Sequence, residues 1–352
     1  MAMPPLQIAQ SISAPISGSD KPTQKIKKLT DRMQTFFTRR ILTALALLLT
    51  ACQCLRAQTD ADAIMMGKYD LCTGLTYTHS NWDYYWEGTY HRNNQNLGTV
   101  KTQMVSVMGI YGITRHLAVV ANVPYVWTDA TAGTLHGMHG IQDLSGWLKW
   151  EAYQQKIGSK GVLSLFALAG GSVPLSNYLA DYLPLSIGLH SRTASGRIIA
   201  DYQLGHFFVT ASGTYTWRSN ITIDEQSYYT TELHLTNKVQ MPNQMSYDFR
   251  AGYRSNRWIF EGLLSDMVTL GGFDIRKNDM PFPSNKMNAT MAGAHVKYEF
   301  KAIKGLSLTA DGNYTVAGRN VGQATTIDAG VFYIFDFNHK GKTAETPTLK
   351  TK

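Results

Sequence analysis

The sequence predicts an all-β chain, a transmembrane antiparallel up-and-down β-barrel of about 12 strands with short periplasmic turns and long extracellular loops. Three observations carry that prediction. Beyond Gly67, residues alternate with the two-residue period of extended chain, in segments of roughly ten residues punctuated by Gly, Asn, Asp and Ser, and no stretch offers an amphipathic helix. The connections alternate between long and short, and aromatic residues gather at both ends of the segments.

The segments are 68–80, 99–111, 117–127, 141–154, 161–173, 191–204, 206–217, 244–254, 257–268, 288–300, 306–316 and 324–337. Short turns fall at 112–116, 155–160, 205, 255–256 and 301–305, and longer loops at 81–98, 128–140, 174–190, 218–243, 269–287 and 317–323. A soluble sandwich has no reason to keep its long connections at one end. A barrel does, and this alternation puts both termini in the periplasm. Short β-like runs inside 174–190 and 218–243 leave ten or fourteen strands as alternative counts.

Several strands carry two distinct faces. Leu144, Leu148, Trp150 and Ala152 alternate with Asp143, Ser145, Lys149 and Glu151. Trp258, Phe260 and Leu264 alternate with Glu261 and Ser265, while Tyr247, Phe249 and Tyr253 are set against Asp248 and Arg250. In a barrel the polar face looks into the lumen and the apolar face meets lipid. The third strand, LAVVANVPYVW, directs Val119, Ala121, Val123 and Tyr125 to lipid, and its other face has Asn122 as its best polar residue. Pro124 lacks an amide donor, so a bulge is expected near the upper rim. Tyr253, Trp258, Tyr298, Phe300, Phe335 and Phe337 cluster near the short turns, and Trp82, Tyr84, Tyr85, Trp86, Trp127 and Trp217 near the long loops. Two such bands suit the two membrane interfaces. The last strand ends in Phe337, like the terminal aromatic signal of outer-membrane proteins.

The ends of the chain are different in kind. Residues 1–57 read as a leader, with Arg39-Arg40 ahead of an apolar h-region at 41–49 that is too short to span a bilayer as a helix. Cleavage before Gln58 and lipidation at Cys52 compete as exits, and Met33 is an alternative start. Residues 58–67 are expected to be a short periplasmic N-terminus, 68–337 the barrel, and 338–352 a polar C-terminal tail. The net charge of +8 belongs mostly to the leader, which holds eight Lys/Arg and two Asp/Glu, so nucleic acid is dropped as a partner. Of three cysteines only Cys72 lies beyond the leader, which excludes an internal disulfide framework after cleavage.

The run YGITRHLAVVANVPYVW followed by a Gly-rich loop and GIQDLSGWLKWEAY resembles the outer-membrane transporters grouped as the MetA-pathway of phenol degradation family. The resemblance rests on Gly112-Ile113-Thr114, Leu117, Val123-Pro124-Tyr125, Gly140, Asp143 and Leu144, and departs at Gln142, where that family usually has Gly. It covers about 68–337. It implies an outer-membrane barrel passing small, often aromatic, compounds, and it carries over no residue-level mechanism.

The candidate functional residues are charges expected on the inner face, because charge cannot face lipid cheaply. They are Lys149, Glu151, Arg197, Asp201, Asp248, Arg250, Glu261, Lys297, Glu299 and Asp311, most of them opposite-sign pairs two or four residues apart. They either bias a polar pathway or pair across strands and rigidify a narrow barrel. His79-Ser80 invites comparison with a barrel phospholipase, but neighbouring strand residues point to opposite faces and cannot act together. His136 and His139 lack further metal ligands, and Gly170-Gly171 is not followed by a phosphate-loop Lys.

The expectation is therefore a passive outer-membrane channel for small molecules, with no catalytic residue, metal or cofactor, whose partners are lipid, the assembly machinery and a solute. A non-conducting barrel whose outer loops bind a surface partner is the alternative, and an outer-membrane hydrolase a distant third. A long N-terminal hatch does not fit between Gln58 and the first strand, which makes the 218–243 loop the best candidate to occlude a pore.

Overall fold

The computed structural model describes residues 59–277 and 279–337. The leader, the choice of processing site and the tail at 338–352 lie outside the described residues. Twelve long strands build one sheet: β1 (Asp70–Trp82), β2 (Val100–Gly112), β3 (Leu117–Ala130), β4 (Asp143–Ile157), β5 (Gly161–Pro174) and β6 (Thr193–Leu204). They continue as β7 (Phe207–Arg218), β8 (Asn243–Arg254), β9 (Trp258–Leu270), β10 (Asn288–Glu299), β11 (Leu306–Arg319) and β12 (Thr325–Asp336). Each pairs antiparallel with its sequence neighbour, and β1 closes the ring on β12 from Asp70↔Asp336 to Asn81↔Thr325. Closure removes sheet edges and leaves every wall strand with two partners, as a bilayer without hydrogen-bonding solvent requires.

The strands outrun their expected ends where the wall leaves the apolar band. β3 continues to Ala130, β4 to Ile157 and β11 to Arg319. Beyond that band the wall meets water, so alternation no longer marks the strand. At the lower rim Gly205 adopts φ +61°, which lets β6 and β7 connect through Gly205 and His206 alone.

The outer face is apolar and exposed: Val119, Leu148, Trp150, Ile198, Phe207, Phe249, Phe260 and Val331 all point away from the interior. Tyr77, Tyr125 and Trp127 meet near the upper ends of their strands, and Trp258, Phe260 and Tyr298 near the lower ends. Two assignments within the upper band change. Trp82 packs against the buried cluster of Leu97, Val100 and Leu185, and Tyr84–Glu87 pairs with Tyr90–Asn93 in a hairpin beyond the wall.

At Pro124 the ladder breaks, but on the partner's side. β2 pairs evenly through Ser106↔Pro124. Toward β4 the register passes from Asn122↔Ser145 to Tyr125↔Ile141, so one extra residue lies opposite Val123-Pro124. Proline has no amide to give there, and the slip costs no bond that it could have made.

Candidate functional site: the barrel lumen

Residues 59–66 run up inside the wall as a strap. Met66 packs among Cys72, Ile110, Ala118, Val120, Phe332 and Ile334, close to the lower rim. Ile64 meets Phe208 and Ile259, and Ala63 meets Phe166, Leu168 and Ile199. Lys149 Nζ donates to the carbonyls of Thr59 at 3.0 Å and Asp62 at 2.7 Å and to Asp62 Oδ1 at 3.0 Å. Arg197, near the middle of β6, donates to the Asp60 carbonyl at 3.1 Å and to Asp60 Oδ2 at 3.0 Å. Asp62 also accepts from the amides of Thr59 at 2.6 Å and Ile64 at 3.1 Å, so one carboxylate shapes the strap and anchors it.

Both anchoring cations lie against rings: Lys149 is 5.7 Å from the Phe166 centroid and Arg197 4.7 Å from that of Trp147. Gly170 makes room for this stacking. A Cβ there would come within 2.5 Å of the Trp147 ring, which explains a glycine at a position where no phosphate loop exists.

A second segment packs onto the upper end of the wall. Leu185, fully buried, packs against Leu97 and Val100, and Ile187 and Tyr178 pack against Val126 with Met104 beside them. The wall also holds this loop by its backbone, with Thr128 Oγ1 donating to the Leu185 carbonyl at 2.6 Å and Gln142 Nε2 to that of Ile187 at 2.5 Å. Tyr178 donates to Asp143 Oδ1 at 2.6 Å. In the 218–243 loop, Ile221, Ile223, Val239 and Met241 cluster with Ala180 of this segment and with Tyr228 and Phe282.

Along their strands the ten expected charges alternate with outward-facing neighbours. Lys149 and Arg197 hold the strap. Glu151 Oε2 lies 2.9 Å from His116 Nδ1 at the lower rim, and its neighbourhood carries a bulge between Glu151 and Tyr153. Asp201 accepts from Thr210 at 2.5 Å and lies 3.5 Å from Arg254, whose guanidinium stacks on Phe208 at 3.9 Å. Arg250 pairs with Glu261 at 3.0 Å, and Asp311 with His295 at 2.5 Å. Asp248 accepts from Ser212 at 3.1 Å and Ser265 at 2.6 Å. Lys297 is buried, and Glu299 shares its strand face two residues below. Two of the same-strand pairs read from the sequence are thus re-partnered across strands: Asp201 faces Arg254 rather than Arg197, and Arg250 faces Glu261 rather than Asp248. Sequence reasoning missed Arg254, His295 and Asp328, which accepts from Thr78. It missed the strap altogether.

His79 and Ser80 point to opposite faces. Ser80 Oγ meets Thr326 Oγ1 at 2.8 Å inside, while His79 lies on the outer face with Tyr77.

Space remains inside. A cavity of about 320 Å³ runs alongside the strap, bounded by Met104, Ser106, Met108, Asn122 and Phe332 on one side and by Arg250, Arg254, Glu261, His295 and Lys297 on the other. Larger grooves of about 920 and 460 Å³ occur on the outside of the sheet, floored by small residues such as Ala251, Gly262, Ala294 and Ala310, where the wall faces acyl chains.

A profile for the family described as "Putative MetA-pathway of phenol degradation" matches residues 101–329. The chain resembles the COG4313 outer membrane channel from Pseudomonas putida F1 with a TM-score of 0.62 and 13% identity, covering 79% of this chain and 100% of that one. It is also similar to the translocator domain of the autotransporter NalP from Neisseria meningitidis, with a TM-score of 0.39 and 12% identity over 88% and 98% of the two chains. A Pseudomonas aeruginosa FadL homologue gives a TM-score of 0.34 and 12% identity over 77% and 91%. No curated protein matches the chain.

Proposed function

We propose, on the premise that this chain belongs to the MetA-pathway of phenol degradation family, that it is an outer-membrane channel. It passes small, largely apolar molecules by passive diffusion and rests closed. The observation that carries this reading is the strap. Twelve strands enclose a space between the filled eight-stranded barrel and the open sixteen-stranded porin, and here that space admits an extra chain segment with cavity to spare. A lumen meant only to be rigid would be filled by its own wall.

The wall chemistry supports the same solute class. The inner charges are largely spent on one another and on the strap, so they offer little to an ion. Met104, Met108, Ile110, Val120 and Phe332 supply an apolar arc across β2, β3 and β12. The fold shared with the Pseudomonas putida F1 channel agrees with this reading. Passage requires that the strap move, and the strap is not part of the hydrogen-bonded ring.

Single-channel recording in planar bilayers tests the proposal. Brief openings are expected from the processed protein, with an ion preference that shifts on Arg250→Glu, which sets a second acid beside Glu261. A barrel that is heat-modifiable on a gel, yet electrically silent even without its strap, would contradict it.

A further inference from the structure

We infer that the cavity beside the strap is a saturable binding site for one small uncharged molecule with an apolar body and a hydrogen-bond donor. The inference rests on the channel reading and adds to it a defined resting place for the solute. Its basis is that, among the described residues, three of the five buried side-chain atoms without partners lie around this one cavity.

Ser106 is 2% exposed and its Oγ has no partner, and Asn122 Oδ1 and Arg254 Nε are likewise buried without one. All three residues line the same cavity. Buried polar atoms are rarely left unpaired, because each costs about 1–3 kcal/mol. Three around one cavity therefore mark a place where a guest completes the hydrogen bonding.

The chemistry of the walls selects the guest. Asn122 Oδ1 can only accept, so the molecule must bring a donor, and Ser106 on the adjacent strand can accept or donate. Next to them Met104, Met108 and Phe332 offer a polarisable apolar surface. Opposite, Arg250 is paired with Glu261, Arg254 with Asp201 and His295 with Asp311, and Asp328 accepts from Thr78. A charged guest would have to break one of these pairs in a poorly solvated interior, which disfavours ions of either sign. Size sets the last limit: a cavity of about 150 Å³ accepts benzene, so about 320 Å³ holds a single-ring molecule with substituents.

The test is isothermal titration of the folded, processed barrel with benzyl alcohol as the probe, against empty detergent micelles, with benzoate as the anionic control. One saturable site for benzyl alcohol and none for benzoate is the expected result. Asn122→Leu should weaken binding about tenfold, the loss of one hydrogen bond. Ser106→Val should weaken it several-fold, and it serves as the second variant if the first does not fold. Binding no greater than to micelles alone, or equal binding in both variants, overturns the site. Conductance of the same preparations separates the two claims. A conducting barrel without saturable binding removes the site and leaves the channel, whereas a binding barrel that never conducts removes the channel reading.

Discussion

The two closures of this barrel solve the same problem with opposite chemistry. The 175–192 loop is held by buried apolar side chains, Leu185 and Ile187 foremost, with hydrogen bonds only securing its backbone. The strap also seats Ala63, Ile64 and Met66, but its upper end hangs on two cations of the wall, Lys149 and Arg197. An apolar latch is insensitive to salt and changes only if its side chains leave one another. An ionic latch responds to screening and to competing charge. The lower closure is therefore the one suited to release, and the upper one to permanence.

The comparison can be broken first at its apolar side. Leu185→Asp puts an unpaired carboxylate where nothing can solvate it, and is expected to free the loop. Limited proteolysis within 175–192 should accelerate at least tenfold, while the barrel keeps its heat-modifiable mobility. Next comes Lys149→Ala, which strands Asp62 inside the wall. Breaking a buried pair from one side costs about 3 kcal/mol, or roughly a hundredfold in strap occupancy. Labelling of an Ala61→Cys reporter measures it, and an unchanged rate would mean that the apolar residues alone hold the strap.

Salt separates the latches by a smaller factor. Arg197 and Asp60 keep partial exposure, with side chains 14% and 28% accessible, so raising ionic strength should increase Ala61→Cys labelling a few-fold and leave proteolysis of 175–192 unaffected. The smallest effect is expected in the outer loops. There the Arg319 guanidinium holds the Asp274 carboxyl down at about 2, below its ordinary 3.8, and Asn320 bonds to the same carboxylate. Because that value is depressed, the clamp contributes fully above pH 3.8 and is lost as pH falls through about 2. Exchange of the Ile275 amide, bonded to Asn320 Oδ1 at 3.0 Å, should lose protection over that range relative to its chemical rate. Being exposed, the pair contributes less than about 1 kcal/mol.

How much of this was legible in the sequence follows from what each part is adapted to. The outer face answers to one uniform solvent, so every second residue of a strand obeys the same rule and the ring could be read directly. Strand ends were less legible, because beyond the bilayer the rule lapses, as along Gln154–Ile157. The strap, TDADAIMM, answers to a unique surface and shows no period. Its only trace is two aspartates at 60 and 62 before an apolar run, and their meaning appears only once Lys149 and Arg197 are known to face inward. The closing loop left a clearer mark: Leu183, Leu185, Ile187 and Leu189 alternate through 175–192, whereas 219–242 is mostly polar. Length drew attention to 218–243, whereas apolar density marks 175–192 as the loop that packs on the wall. Alternation put the charges on one face of each strand, but their partners depended on register between strands, which no single strand encodes.

The measurement that tests the ionic latch most directly is single-channel conductance of two refolded barrels side by side, one beginning at Gln58 and one at Gly67. Removal of the strap is expected to convert brief openings into a sustained open level at least several-fold more populated, and Lys149→Ala in the longer chain should move it part of the way. Equal records from the two barrels would mean that the strap does not close the lumen, and the division between a fixed upper latch and a releasable lower one would fall.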